Sequence, residues 1–117
     1  MTAALGVLVV AITVALNLGI AVADFARARF VLANSAEVGV PERWLPALAT
    51  LKAAGALGLV LGLLGLGWLG VAAATGLVLF YLGAIVAHVR ARVLHNIAFP
   101  ALFLGFAVAS LVVLLLR

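Results

Sequence analysis

The chain has 117 residues, of which 69% are hydrophobic and only 9% are charged, and its formal net charge is +4. Soluble domains are about 45–50% apolar and about 25% charged, and a chain this short cannot bury so many apolar side chains away from water. The composition therefore excludes a soluble globular fold and a disordered chain, and it indicates a protein that folds within a lipid bilayer. The sequence also lacks cysteine, which excludes disulfide bonds, cysteine-ligated metals and thiol–disulfide exchange.

Four apolar segments are long enough to cross a bilayer, and we expect each of them to be a helix. A crossing needs about 20 apolar residues, and a helix satisfies the hydrogen bonds of its own backbone in lipid. A tight turn with several glycines joins the second segment to the third. The sequence thus predicts an all-α, antiparallel four-helix membrane bundle that forms one domain over residues 1–117. The predicted spans are residues 3–23, 46–66, 68–87 and 97–116.

The arginines predict the orientation of the bundle in the cell membrane. With four spans, loops 24–45 and 88–96 lie on the same side and together carry Arg27, Arg29, Arg43, Arg90 and Arg92. The opposite side carries Arg117. Because the cytoplasmic loops of membrane proteins are enriched in Lys and Arg, we expect both loops in the cytoplasm and both termini outside. We expect no nucleic-acid partner, since the basic residues form no dense stripe.

The first span carries a narrow polar stripe. Gly6, Thr13, Asn17 and Asp24 follow one another at spacings of seven, four and seven residues. At about 100° per residue, they fall within about 20° of one line along the helix. Polar groups are costly in lipid and face the interior of a bundle or a cavity, so the stripe marks the inward face of this helix.

The other spans add polar side chains toward the same end of the bundle. Lys52 lies early in the second span, and Tyr81 and His88 are seven residues apart on one face of the third. His95 and Asn96 precede or open the fourth span. The sequence therefore predicts a polar cluster in the cytoplasmic half of the bundle as the candidate ligand-binding site. Its members are Asn17, Asp24, Lys52, Tyr81, His88 and Asn96.

This polar cluster has two interpretations. In the first, it fixes the register of the helices, with Lys52 paired to Asp24, bonded to Asn17 or extended toward the lipid headgroups. In the second, it lines a small pocket for the polar head of a quinone or lipid, whose apolar tail lies between the helices.

Residue patterns that carry catalysis or metal binding are missing from the sequence, so we assign no catalytic residue and no metal ligand. The sequence has no Ser–His–Asp set, no phosphate-binding Gly-rich loop and no paired intramembrane carboxylates. His88 and His95 lack the ligand spacing of a metal or haem site. A proton-coupled exporter needs a carboxylate near the middle of the first span, where Thr13 and Asn17 stand.

Small residues repeat every four positions in three of the spans. Such rows are typical of helices whose backbones approach closely in lipid. We expect them to pack within the chain, and homo-oligomer formation is the alternative. The rows are Ala54, Gly58 and Gly62, then Ala72 and Gly76, then Gly105 and Ala109.

Residues 38–62 have a distinctive order. Val-Gly-Val-Pro-Glu-Arg-Trp-Leu-Pro-Ala-Leu (38–48) leads into Leu-Lys-Ala-Ala-Gly-Ala-Leu-Gly-Leu (51–59). This order resembles the pattern of the DoxX-like family of small four-helix membrane proteins. The pattern consists of a long first loop with Gly-x-Pro near its end, a charged residue early in the second helix and a following Gly/Ala-rich run. Residues 80–92 and 96–101 resemble the same family, and the similarity extends from about Leu16 to the carboxyl end.

The resemblance implies a four-helix membrane fold, and it implies association with redox partners or a role in membrane-protein assembly. The family takes its name from a subunit associated with thiosulfate:quinone oxidoreduction. Two positions depart from the family pattern. Lys52 stands where many relatives carry Glu, and the segment from Ala23 to Arg27 replaces a Gly-x-x-Lys signature at the end of the first helix.

Together these features favour a non-catalytic accessory or assembly subunit of a membrane redox or envelope complex. Its loop arginines are expected to contact anionic lipid or a membrane-protein partner. The first alternative is a subunit of a membrane oxidoreductase that binds quinone or lipid through the polar cluster. The second alternative is a small transporter. Flux across the membrane of liposomes containing the protein, dependent on a proton gradient, would be the evidence for it.

Reporter fusions test the predicted orientation. A reporter placed after Arg117 should be active only outside the cytoplasm, and one inserted near Ser35 only inside, because five loop arginines oppose one. Compartment-specific reporter activity in whole cells measures this. Reversed activities would overturn the arrangement.

Overall fold

A computed structural model describes residues 2–117 of the chain, and its side chains from Ala3 onward. This part of the chain folds into helices joined by turns, without a strand. Four of the helices are long and apolar enough to cross a membrane, so the predicted all-α membrane bundle is confirmed. The helices are α1 (Thr2–Phe25), α2 (Arg29–Glu37), α3 (Leu45–Leu63), α4 (Gly67–Arg90) and α5 (Ala98–Leu115), with a 3₁₀ turn at Glu42–Trp44.

The four spanning helices, α1, α3, α4 and α5, form a closed ring. α1 packs on α3 and α5, and α4 packs on the same two helices, so α1 and α4 lie at opposite corners. Consecutive spanning helices run in opposite directions, which gives the bundle two ends. The loop end holds residues 26–44 and 91–97, and the turn end holds residues 64–66 and Arg117.

The spanning helices differ from the predicted spans at their ends. α3 ends at Leu63 rather than at residue 66, because Gly65 takes a φ of +125° that terminates the helix. α4 continues beyond residue 87 to Arg90, and this extension includes His88, whose side chain is buried.

The first loop contains a helix that the sequence analysis did not predict. α2 has nine residues and buries Val31 and Ser35, which are four positions apart on its inner face. Arg29 and Phe30 are exposed. Nine residues make only about two and a half turns, which is too short for a periodic apolar pattern to reveal a helix.

Large apolar side chains cover the outside of the bundle. The interior is a mixture of large and small side chains, including Leu59, Leu77, Ala74 and Ala107. Because the surrounding solvent is lipid, the outward leucines contact acyl chains and need no partner on the protein. Examples on three helices are Leu57, Leu79 and Leu102, which are 59%, 63% and 53% exposed.

Glycine brings α3 and α4 into backbone contact near the turn end. A Cβ added to Gly62 would lie 2.5 Å from the Cα of Gly70. Gly58 and Gly62 of the small-residue row of α3 therefore pack within the chain, as expected, whereas Ala54 is exposed. The glycines of the other two rows face outward, since a Cβ added to Gly76 or Gly105 meets no atom within 4 Å.

Gly62→Ala should destabilise the bundle, because its methyl group meets the backbone of Gly70 and forces α3 away from α4. We expect a loss of about 1–3 kcal/mol, which is typical of overpacking. Gly76→Ala is the matched control, since its methyl group enters open space and removes a glycine from a helix interior. Reversible unfolding in mixed micelles measures both variants. Equal stability of the two would show that the helices are not in close contact here.

Candidate functional site

The polar stripe of α1 reaches each of the other spanning helices through one side chain. Thr13 contacts α5, Asn17 contacts α4 and Asp24 contacts α3. These three side chains are buried, with exposed fractions of 0%, 1% and 3%. Since a helix rises about 1.5 Å per residue, the three contacts lie at levels about 6 Å and about 10 Å apart along α1.

At the loop end, Lys52 and Asp24 form a buried ion pair. Lys52 Nζ donates to Asp24 Oδ2 over 2.7 Å, and the two side chains are 12% and 3% exposed. The ammonium group also lies 5.2 Å from the centre of the Phe80 ring, which is within the range of a cation–π contact. Of the arrangements expected for Lys52, the structure therefore contains the pairing with Asp24.

One level deeper, Tyr81 of α4 joins Asn17 of α1. The Tyr81 hydroxyl donates to Asn17 Oδ1 over 2.5 Å, and Asn17 Nδ2 donates to the carbonyl of Thr13 over 2.9 Å. The Tyr81 ring contacts Phe80 and Phe103, with ring centres 5.1 Å and 5.3 Å away. Both the phenol and the amide thus have protein partners, and their bond crosses the bundle between opposite corners.

The deepest contact joins α1 to α5 through two hydroxyl groups. Ser110 Oγ donates to Thr13 Oγ1 over 2.8 Å. The Thr13 hydroxyl donates to the carbonyl of Val9 over 2.9 Å and lies 3.3 Å from that of Phe106. The sequence analysis did not select Ser110, although an isolated serine in the apolar fourth span was a signal for it.

His88 belongs to a second polar group at the loop end, with Asn34 and Asn96. His88 Nδ1 lies 2.8 Å from the carbonyl oxygen of Ala84, within hydrogen-bond distance. His88 Nε2 lies 3.2 Å from Asn34 Oδ1, which accepts from Asn96 Nδ2 over 2.8 Å. Asn34 therefore docks α2 against the ends of α4 and α5. The sequence analysis missed Asn34 because it gave this segment no structure.

One buried atom of this group lacks a partner. Asn96 Oδ1 is shielded from solvent, and no donor in the described part of the chain bonds to it. A buried acceptor without a donor costs about 1–3 kcal/mol. A hydroxyl or an N–H group brought to this oxygen would therefore gain a hydrogen bond.

Two exposed ion pairs connect the loop segments. His95 Nε2 lies 2.7 Å from Glu37 Oε2, and Arg27 Nη1 lies 3.3 Å from Glu42 Oε1. Exposed pairs of this kind contribute only about 0–1 kcal/mol to stability. These two ion pairs connect parts of the loops to one another, and they add little to the stability of the bundle.

Two cavities are lined by residues outside the polar cluster. An apolar groove of about 390 Å³ follows α1 and α5, and a smaller cavity of about 130 Å³ lies beside α2. The groove is lined by Val9, Ala101, Leu102, Gly105, Phe106 and Ala109. The smaller cavity is lined by Leu32, Ser35, Ala36, Val40 and Glu42.

The predicted site residues thus form three separate groups. Lys52 pairs with Asp24, Tyr81 with Asn17, and His88 joins Asn96 through Asn34. Each group links two or three helices or helix ends. Hydrogen bonds and ion pairs in such positions are suited to holding the helices in register. Across residues 2–117, no three His, Asp or Glu side chains stand close enough to hold a metal ion.

Comparison with protein families identifies the DoxX-like family, whose sequence pattern matches residues 4–110 of the chain. The matched range includes every residue of the three polar groups. Comparison with curated proteins gave no match, and comparison with solved structures gave none either.

Lys52→Met and Asp24→Asn should each destabilise the bundle, because either change leaves a polar or charged partner buried alone. Removing one partner of a buried pair typically costs about 3–5 kcal/mol. The double variant should lose less than the sum of the two single losses, and unfolding in mixed micelles gives all three values. Strictly additive losses would mean that the two side chains do not interact.

Proposed function

The chain belongs to the DoxX-like family, and from this premise we propose that it is a non-catalytic accessory or assembly subunit of a membrane redox or envelope complex. It is a multi-pass membrane protein with four spanning helices. In the proposed role it binds a membrane-protein partner and performs no chemical step itself.

One observation carries this proposal, namely that the buried polar side chains of the spanning helices bond to one another. Asp24 accepts from Lys52, and the Tyr81 hydroxyl donates to Asn17. A carboxylate that carries protons or binds substrate has to be reached by them, whereas Asp24 is 3% exposed and already paired. Internal pairing of this kind supports a structural role for the cluster.

The proposal includes an orientation, with the loop end in the cytoplasm and both termini outside. Exposed arginines at the loop end support it, because basic residues are retained on the cytoplasmic side. The turn end carries only Arg117 among basic side chains in the described part of the chain. In this orientation the loop-end surface, including α2, is available to cytoplasmic segments of a partner.

A quinone- or lipid-binding subunit is the second candidate, and Asn96 Oδ1 favours it. This buried oxygen has no donor within the described residues, and it belongs to the group that contains His88. A hydroxyl on a lipid head or on a reduced quinone would supply the missing hydrogen bond. The occupant would have to enter between α2 and the ends of α4 and α5, which Asn34 holds together.

Native mass spectrometry of the chain, extracted from its own membranes in a mild non-ionic detergent, separates the two candidates. An accessory subunit should appear in fixed stoichiometry with a membrane protein and without an isoprenoid quinone. The double variant Asn17→Leu with Tyr81→Phe replaces a buried bonded pair with apolar side chains. It should keep the partner, because replacing both members of a bonded pair leaves no stranded polar group.

Asn96→Ala and its exposed neighbour His95→Ala form the matched control pair. One isoprenoid quinone per chain, lost in Asn96→Ala and kept in His95→Ala, would replace the accessory proposal with the second candidate. A chain that appears with neither partner nor quinone would contradict both.

A further inference from the structure

Four of the helices end in the same backbone motif. A long hydrogen bond runs back from the third residue past the helix to its last turns, as in a Schellman motif. The motif requires a residue with positive φ directly before the donor. The donors and acceptors are Ala28 to Ala23 for α1, Val40 to Ser35 for α2, Leu66 to Leu61 for α3 and Val93 to His88 for α4.

Two of these motifs place an arginine in the strained position. α2 and α3 use Gly39 and Gly65, with φ of +77° and +125°. α1 and α4 instead use Arg27 and Arg92, with φ of +52° and +60°. Glycine adopts this conformation without steric cost, whereas a residue with a Cβ is strained in it. The two spanning helices that finish at the loop end thus carry an arginine where glycine would relieve strain.

These arginines lie in a region of excess positive charge. Arg27 is paired with Glu42, but no acidic side chain of the described residues forms an ion pair with the other loop-end arginines. Five arginines stand at this end against two exposed acidic side chains, Glu37 and Glu42. The unpaired arginines are Arg29, Arg43, Arg90 and Arg92.

Exposed aromatic side chains surround the same end. Among them Trp44 indicates the headgroup level, because Trp and Tyr rings are enriched at the membrane–water interface. Arginines at the level of Trp44 are expected to lie near the lipid phosphates rather than in bulk water beyond the membrane. The exposed rings are Phe25, Phe30, Trp44 and Phe99, with exposed fractions of 54%, 62%, 51% and 68%.

We propose that Arg27 and Arg92 bind the phosphates of anionic phospholipid headgroups at opposite corners of the loop end. A guanidinium group donates two parallel hydrogen bonds to a phosphate, and the excess positive charge of the region selects anionic over zwitterionic lipid. The strained φ at both positions is retained because a cationic side chain is needed there. This inference concerns contact with lipid and does not depend on the accessory role.

A different role for these arginines makes opposite predictions. A cation at the carboxyl end of a helix also interacts favourably with the helix dipole. If that is their role, Arg27→Gly with Arg92→Gly should lower the thermal midpoint and leave the lipid preference unchanged. If they bind headgroups, the same variant should weaken the lipid preference while its thermal midpoint stays equal or rises, because the strain is relieved.

The chain provides a fluorescent reporter at each end. Trp44 lies at the loop end and Trp68 at the turn end, and both are exposed. In a Trp68→Phe background, quenching by brominated phosphatidylglycerol or brominated phosphatidylcholine in mixed vesicles reports the lipid next to Trp44. In a Trp44→Phe background, the same titration reports the lipid next to Trp68.

In the chain with all its arginines, we expect phosphatidylglycerol to be preferred over phosphatidylcholine next to Trp44 by about fivefold or more. Next to Trp68 we expect little preference between the two lipids. The double glycine variant should clearly lower the ratio at Trp44, and so should Arg27→Gln with Arg92→Gln, which removes the charge but keeps a long side chain. Arg29, Arg43 and Arg90 remain in both variants and keep the ratio above one. Arg27→Lys with Arg92→Lys should retain part of the preference. Arg117→Gly, which removes one arginine at the turn end, is the control for position and should leave the Trp44 ratio unchanged.

Two results would overturn the proposal. One is an undiminished preference at Trp44 in both the glycine and the glutamine variants. The other is an equal preference at Trp44 and Trp68 in the chain that carries all its arginines.

Discussion

A polar side chain inside a bilayer has no water to bond with, so each one in this bundle needs a partner on the protein. The other regular features of the fold depend on how α1 meets this constraint. Its stripe gives one side chain to each neighbour: Thr13 to α5, Asn17 to α4 and Asp24 to α3. Apolar contacts alone tolerate sliding and rotation, whereas three bonds at different heights fix both the rotation and the height of α1.

Close packing of helix backbones adds to the hydrogen bonds in fixing the positions of the helices. α3 and α4 meet through glycine backbones at Gly62 and Gly70, near the turn between them. At the opposite end of the same two helices, Lys52 lies beside the Phe80 ring. Van der Waals contact therefore sets the spacing of α3 and α4 at one end, and the contact of Lys52 with the Phe80 ring joins them at the other. Since both devices lie inside, the outer surface is left to lipid and to partners.

The sequence predicted the fold and the inward face of α1 well, because both depend on patterns within a single segment. Hydropathy identified four spans, and a period of about 3.6 residues aligned Thr13, Asn17 and Asp24. Ser110 was not predicted, because a single serine on an apolar helix forms no periodic pattern with other polar residues. The rows on α3 and α5 look alike in sequence, yet Gly62 faces inward and Gly105 outward. Helix rotation decides this, and it is set by contacts between segments distant in sequence.

The cluster was predicted as one group, but its members occupy separate levels. Sequence spacing places a residue on a helix face, and it does not say which residue on the next helix stands at the same height. Asn34 could not be anticipated for a further reason. It lies on α2, whose nine residues are docked by His88 and Asn96 rather than by an apolar pattern of their own.

The contacts of α1 have a consequence for biosynthesis, because their partners are made long after α1 itself. Asp24 meets a residue 28 positions later, Asn17 one 64 positions later and Thr13 one 97 positions later. A chain inserted into the membrane from its amino terminus therefore holds α1 there without the full set of its interhelical partners until the last helix arrives. The contact of Asp24, near the loop end, can form first, and the contact of Thr13, the deepest, can form last. The arrival of Ser110 is thus the last of these steps, and a chain truncated before it would lack the hydroxyl bond between α1 and α5, although Thr13 still donates to Val9 within its own helix.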